Sequence, residues 1–165
     1  MPPLMAYRLG SVDDIDAVYA LNIQLFAENW SKKSLLDVMR SGFNLHVCEI
    51  SEQLVGYILS QDIFDEVHIM QVGVDPSCQR QGIAKKLSQD LLADKHDYAL
   101  ALLEVRASNI AAQNLYAQLG FNEVARRKSY YVPENKGESR EDAILMTLDI
   151  MNKVRSCEIS KPRYE

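Results

Sequence analysis

The stretch VDPSCQRQGIAKKL, residues 74–87, joins a strand-like run to a helix-like run. Asp75-Pro76 stops the strand, because proline has no N–H for a ladder. Gly82 stands where the helix begins. The backbone amides of Gln81, Gly82, Ile83, Ala84 and Lys85 lack partners inside a first helical turn. With the helix dipole they form an anion site. Gly82 lets an anion come close to the backbone. Ala84 adds only a methyl group, and Arg80 and Lys85 add positive charge. A triphosphate loop would need lysine followed by serine or threonine, yet Lys86 follows Lys85. A dinucleotide loop would need GxGxxG, and one glycine is present. The spacing alone points to an anion loop, with a basic helix start on the surface as the plain alternative.

The surrounding chain supplies the frame. Upstream, EVHIMQVGV (66–74) alternates as a strand. NLHVCEI and QLVGYILSQDIF before it form an antiparallel hairpin with its turn at Ser51-Glu52. A short strand, LMAYRL, opens the chain. Ser11 caps the next helix, with Asp13, Asp14 and Asp16 at its positive end and Ile15, Val18, Leu21, Ile23 and Leu25 as its apolar stripe. A second helix starts after Ser31, turns Leu35, Leu36 and Met39 inward, and ends at Ser41-Gly42. Downstream, residues 82–96 form a helix with Ile83, Leu87, Leu91 and Leu92 on one side. YALALLEV (98–105) is near-continuously apolar, as in a strand covered on both faces. A helix from Asn109 to Leu119 ends at Gly120. FNEVARRKSYYV and DAILMTLDI are the last strands, around the polar loop PENKGESRE. The order predicts an α/β (α+β) fold, a mixed sheet of six to seven strands with about four helices on its faces. Residues 1–150 read as one domain, and 151–165 as a tail forming a short helix or disorder.

The chain has 165 residues, 47% hydrophobic and 25% charged, with a formal net charge of −5. That length supports one core without staples, and that charge argues against nucleic acid as a direct partner. Cys48, Cys78 and Cys157 form no CxxC pair, and His46, His68 and His96 have no ligand spacing, so no metal is expected. Neither a membrane span nor a signal peptide is visible, and a cytoplasmic monomer is expected.

Two further motifs identify relatives. QRQGIA (79–84) fits the Q/R-x-x-G-x-G/A pattern of the GCN5-related N-acetyltransferases. LEVRASNIAAQNLYAQLGFNEVARRKSYY (103–131) and EDAILMTL (141–148) resemble one branch of that family closely. The resemblance is strong over 66–149, weaker over 4–65, and does not reach the tail. It implies that two parallel strands, 66–74 and 98–105, splay apart at a bulge. The pantetheine arm of acetyl-coenzyme A would lie between them, along the backbone of Val72, Gly73 and Val74. Gly73 suits a bulge or a close approach. Arg80, Gln81, Gly82, Ile83, Ala84 and Lys85 would hold the pyrophosphate, and Asn109 would contact the coenzyme as well as cap its helix.

The resemblance also assigns chemistry. Glu104 would be the general base, acting through water, because an α-ammonium must lose a proton before it attacks a thioester. Without the motif, Glu104 and Arg106 read as a salt bridge at a strand end. Tyr116 would be the general acid at the departing thiolate; on period alone it is a packing residue. A backbone amide near Val72 to Val74 would hold the oxyanion. Transfer would be direct within a ternary complex, and Cys78 lacks a histidine partner for a nucleophilic role. The implied acceptor is the N-terminal alanine amine of a small-subunit ribosomal protein, the one numbered eighteen. Glu28, Asp65, Glu66 and Glu141 are candidates to receive basic residues flanking that N-terminus. Lysine side chains, polyamines and small amines stay open as other acceptors, since fold does not fix substrate. A non-catalytic coenzyme A sensor would be favoured by loss of Glu104 and Tyr116, and both are present.

Overall fold

The computed structural model describes residues 3–153. β1 (Met5–Leu9) leads to Ser11, whose hydroxyl accepts from the Asp13 amide while Asp14 accepts from the Ser11 amide at 2.8 Å. This reciprocal cap starts a short 3₁₀ turn, Val12–Asp14, that runs into α1 (Ile15–Leu25). α2 (Lys32–Arg40) starts at Ser31, whose Oγ accepts from the Ser34 amide at 3.0 Å. β2 (Asn44–Ile50) and β3 (Gln53–Ile63) form the predicted hairpin. Its two turn residues, Ser51 and Glu52, both have positive φ, the twist that matches a two-residue hairpin. β4 (Glu66–Val74), α3 (Ile83–Asp94), β5 (Leu100–Arg106), α4 (Ile110–Leu119), β6 (Asn122–Tyr131) and β7 (Glu141–Asp149) follow.

The sheet has seven strands in the order β1-β2-β3-β4-β5-β7-β6, and only β4–β5 is parallel. Neighbouring residues of β3 point to opposite faces. Ile58 joins Ile83, Leu87 and Leu91 of α3 and Leu119 of α4. Tyr57 and Leu59 join Ile15, Val18 and Leu21 of α1 and Leu35 of α2. The helices therefore cover the two faces in pairs.

Three sequence expectations change. The β5 run is not equally buried on both faces. Ala101, Leu103 and Val105 are buried, whereas Leu100, Leu102 and Glu104 are half-buried, because α1 packs over β3 and β4 and leaves that face of β5 partly open. Ile23 is not part of the α1 stripe and stands 48% exposed; Asn22, fully buried, takes the inward position. The bulge in β4 is not at Gly73. The β3–β4 register skips Met70, between Gln71↔Leu59 and Ile69↔Ser60. Gly73 has a different reason to be small: a Cβ there would meet Tyr57 Cε1 at 2.7 Å and Leu25 Cδ1 at 3.0 Å. Residues 150–153 form a last helical turn, and the rest of the expected tail lies outside the described residues.

Candidate active site

The parallel pairing of β4 with β5 runs from Glu66↔Leu100 to Ile69↔Leu103 and stops there. Met70 bulges at that point, and both strands continue unpaired with each other. This is the splay that the resemblance implied. The direction of the free backbone groups follows from one bond. The Asp75 amide donates to Val55 O at 2.7 Å, toward β3. Backbone groups alternate sides along a strand, so Gly73 also turns toward β3, and Val72 and Val74 turn toward the gap. The Val74 carbonyl there accepts from Gln79 Nε2 at 3.1 Å. Val72 and Val74 thus present backbone to the gap, and Gly73 does not.

The loop after β4 is held by Asp75, whose carboxylate accepts from the Ser77 amide at 2.8 Å and caps the turn Pro76–Cys78. Arg80 and Gly82 both adopt left-handed backbone, φ 65° and 79°. Such turns draw successive amides into a concave anion nest at the start of α3. A Cβ on Gly82 would meet nothing within 4 Å, so the cradle is open on that side. Backbone donors around an open cradle suit an anion such as a pyrophosphate.

A cleft of about 1200 Å³ continues from this loop through the gap. Glu104 and Tyr116 both line it. They arrive from opposite faces: Glu104 from the half-open face of β5, Tyr116 from α4 within the other core. Glu104 does not pair with Arg106. Its Oε1 lies 3.1 Å from Nε of Arg127 on β6. β6 lies across β7 from β5, so this pair spans two strand spacings and is invisible to local pattern. Tyr116 is 6% exposed, packs edge-on to Phe121 at 5.6 Å, and has no hydrogen bond to its hydroxyl among the described residues. Burial pushes its phenol above the ordinary tyrosine range. Asn109 lines the cleft and caps α4, its Oδ1 accepting from the Ala112 amide at 3.1 Å.

Of the acidic candidates, only Glu28 lines the cleft. Asp65 and Glu66 sit at the start of β4, where the strands are still paired, and Glu66 binds His68 Nε2 at 2.9 Å. Glu141 accepts from the Ser108 amide at 2.5 Å and faces Arg106. The Ser108 bonds, then the Arg106 cation, hold it below the usual carboxylate range. Cys78 lines the cleft. The histidines are engaged elsewhere: His46 with Asp94 at 2.8 Å, His68 with Glu66, and His96 with the Ala93 carbonyl at 3.1 Å.

Sequence reasoning missed several lining groups. Gln71 accepts from Asn22 Nδ2 at 2.6 Å and from the Tyr57 hydroxyl at 2.7 Å, and Asn22 Oδ1 accepts from the Trp30 amide at 2.9 Å. This network ties the α1–α2 connection to β4 beside the bulge. A lone asparagine at an apolar position of α1 was its signal. Tyr131 and Glu134 also line the cleft. Burial, then the Glu104 carboxylate, push the Tyr131 phenol up to about 12. Among the described residues no cluster of ligands could hold a metal ion, and no helix is long and apolar enough to cross a membrane.

Known proteins share this fold. A family model described as the Acetyltransferase (GNAT) domain matches residues 14–130. The [ribosomal protein bS18]-alanine N-acetyltransferase of Escherichia coli strain K12 is 36% identical over 139 residues, covering 83% of this chain and 92% of that protein. Its namesake from Haemophilus ducreyi is 38% identical over 122 residues, 72% of this chain and 82% of that one. The crystal structure of the ribosomal-protein-S18-alanine N-acetyltransferase from Escherichia coli has a TM-score of 0.83 at 32% identity, covering 89% and 94% of the two chains. Arabidopsis thaliana NAA60 in complex with acetyl-CoA shares the fold, with a TM-score of 0.80 at 18% identity over 90% and 99%. The residues matched by the family model and the shared fold have one conclusion: the chain belongs to the GNAT acetyltransferase family.

Proposed function

We propose that this chain is an N-terminal protein acetyltransferase. It moves the acetyl group of acetyl-CoA to the N-terminal alanine amine of ribosomal protein bS18. The observation that carries the reading is the meeting of Glu104 and Tyr116 at one gap in the sheet, beside an amide-rich loop. The names borne by the E. coli and Haemophilus ducreyi relatives support the acceptor. Residues 1–150 are read as the catalytic domain, working in the cytoplasm.

Acetyl-CoA would supply the acyl group as a thioester, its pyrophosphate on the amides of Gln81 to Lys85 and its arm along Val72 and Val74. Arg80 and Lys85 are exposed and add screened charge rather than tight contacts. A free α-amine has a pKa of about 7.7–8.0, so most of it is protonated at neutral pH. Glu104 has modest work: it takes one proton, through water, from an ammonium already near its own titration point. Arg127 holds the Glu104 carboxylate in place for this.

Tyr116 enters from the thiol side. Burial keeps it protonated before attack. A thiol has a pKa of about 8.5 against about 10 for a phenol, so full transfer to sulfur runs uphill by roughly 2 kcal/mol. Burial raises the Tyr116 phenol further, so full transfer is no easier in the cleft. Tyr116 therefore acts chiefly as a hydrogen-bond donor whose bond strengthens as charge builds on sulfur. The amides of Val72 and Val74 that face the gap are the donors available to the oxyanion.

The test is release of free thiol from acetyl-CoA with an alanine-starting peptide of the bS18 N-terminus. The same assay includes an N-terminally blocked lysine peptide and a polyamine. Turnover on the alanine peptide is expected. Silence from folded, coenzyme-binding protein refutes the enzyme reading, and preference for lysine or polyamine refutes the acceptor.

A further inference from the structure

Arg106 lies two residues beyond Glu104 on the same face of β5, and its side chain is 18% exposed. Its guanidinium faces groups on or beside the β6–β7 connection. Nη1 donates to the Val132 carbonyl at 3.2 Å and lies 3.4 Å from Glu141 Oε2. Nε lies 3.6 Å from Glu134 Oε1. The guanidinium carbon stands 4.5 Å from the centre of the Tyr131 ring. Only arginine offers a planar fork that can face two carboxylates and a carbonyl while stacking on a ring.

Residues 132–140 have no strand or helix, and eight of the nine are exposed. Among the described residues, the side-chain hydrogen bonds and ion pairs that leave this segment for the rest of the chain all end on Arg106. Asn135 and Glu138 bond only within it. Yet Tyr131 and Glu134, at its start, line the cleft beside Glu104. Without Arg106, the segment would have no side-chain tie to the rest of the chain among the described residues.

We propose that Arg106 is a positioning residue that straps the β6–β7 connection down as the acceptor-side wall of the cleft. It sets where Tyr131 and Glu134 stand when the amine approaches Glu104, and it leaves the coenzyme loop alone. The proposal rests on the acetyltransferase reading for its acceptor, though not for the strap itself. The carboxylate contacts of 3.4 and 3.6 Å are loose and partly exposed, so the wall can lift to admit a peptide.

Arg106→Met keeps the stem and removes the fork. With it, the peptide KM is expected to rise about tenfold while kcat changes less than about threefold, the signature of lost binding rather than lost chemistry. The acetyl-CoA affinity, by calorimetry, stays within about twofold. Amide hydrogen exchange over 132–140 speeds up by about tenfold or more. Glu134→Gln loosens the strap from the loop side and leaves β5 intact; it is expected to shift exchange the same way by a smaller factor, and it serves if Arg106→Met does not fold. Unchanged exchange over 132–140 overturns the strap. Faster exchange with unchanged peptide KM overturns its role in placing the acceptor, as does an equal loss of acetyl-CoA affinity. A wild-type chain that acetylates no peptide refutes the acetyltransferase reading instead, and the exchange result alone then decides the strap.

Discussion

Replacing Gly82 by valine separates backbone strain from coenzyme binding. Gly82 has φ 79° and precedes Ile83, the first residue of α3. An L-residue in that region costs roughly 1–2 kcal/mol. A Cβ would meet nothing within 4 Å of the protein, so no clash adds to the strain in the free chain. The strain must emerge in one of two places. If the loop keeps its shape, stability falls by about 1–2 kcal/mol, or roughly 2–8 °C for a chain of this size. If the loop relaxes, the same cost reappears when the left-handed shape is restored to bind. In both cases the isopropyl group stands in the cradle where a phosphate would approach. An affinity loss of about tenfold or more is expected, since about 1.4 kcal/mol is already tenfold. Gly42 is the matched control: φ 85°, nothing within 4 Å of its Cβ, and outside the cleft lining. Gly42→Val should lose similar stability and keep its affinity. Calorimetry with acetyl-CoA and thermal melts decide. Folded Gly82→Val protein that binds as tightly as Gly42→Val would show that the cradle lies elsewhere.

Glu104→Gln should lower kcat by about 10²–10⁴ with little change in acetyl-CoA affinity; a wild-type rate removes Glu104 from the proton path. Tyr116→Phe keeps the edge-on contact with Phe121 and should slow turnover by about 10-fold or more at nearly unchanged melting temperature. A large melting loss with normal kcat would make Tyr116 a packing residue only. Asn22→Leu strands the Trp30 amide and should cost about 1–3 kcal/mol; a denaturant titration with no shift in midpoint would show the network adds nothing. For pH, the hydrogen bond from Arg8 holds Asp14 below the usual carboxylate range. A depressed carboxylate stabilises above its unfolded pKa of about 3.9, and that contribution is lost as pH falls through the lower folded value. Asp14→Asn should therefore melt lower than wild type near neutral pH, with the gap closing in acid. A gap that stays constant from about pH 7 to about pH 2.5 would contradict this.

Much of the frame was legible along the chain. Pro76 ended a strand, and Ser11, Ser31 and Asn109 marked helix starts through side-chain bonds to nearby amides. The helix start after Gly82 was legible too, because its signal is a residue type at a fixed offset from a helix start. Less legible was anything that depends on a partner far off in sequence. Asn22 sits among the apolar residues of α1, and its role shows only with Tyr57 and Gln71 beside it. Glu104 looked like a partner for Arg106, its neighbour on the same face. β6 lies across β7 from β5 and brings Arg127 closer, leaving Arg106 to the β6–β7 connection.

By itself, then, the sequence determined the order of elements, the loop-to-helix start at Gly82 and the residue types that resemble the acetyltransferases. These are local: a cap, a turn or a period needs only a few neighbouring residues. Only the tertiary structure decided where β4 and β5 part, that the skip falls at Met70 rather than Gly73, and that Glu104 and Tyr116 come to the gap from opposite faces. Register is a relation between strands, and a one-residue skip in one ladder shows only against its partner. The face a residue presents, and the cleft it reaches, follow from that relation.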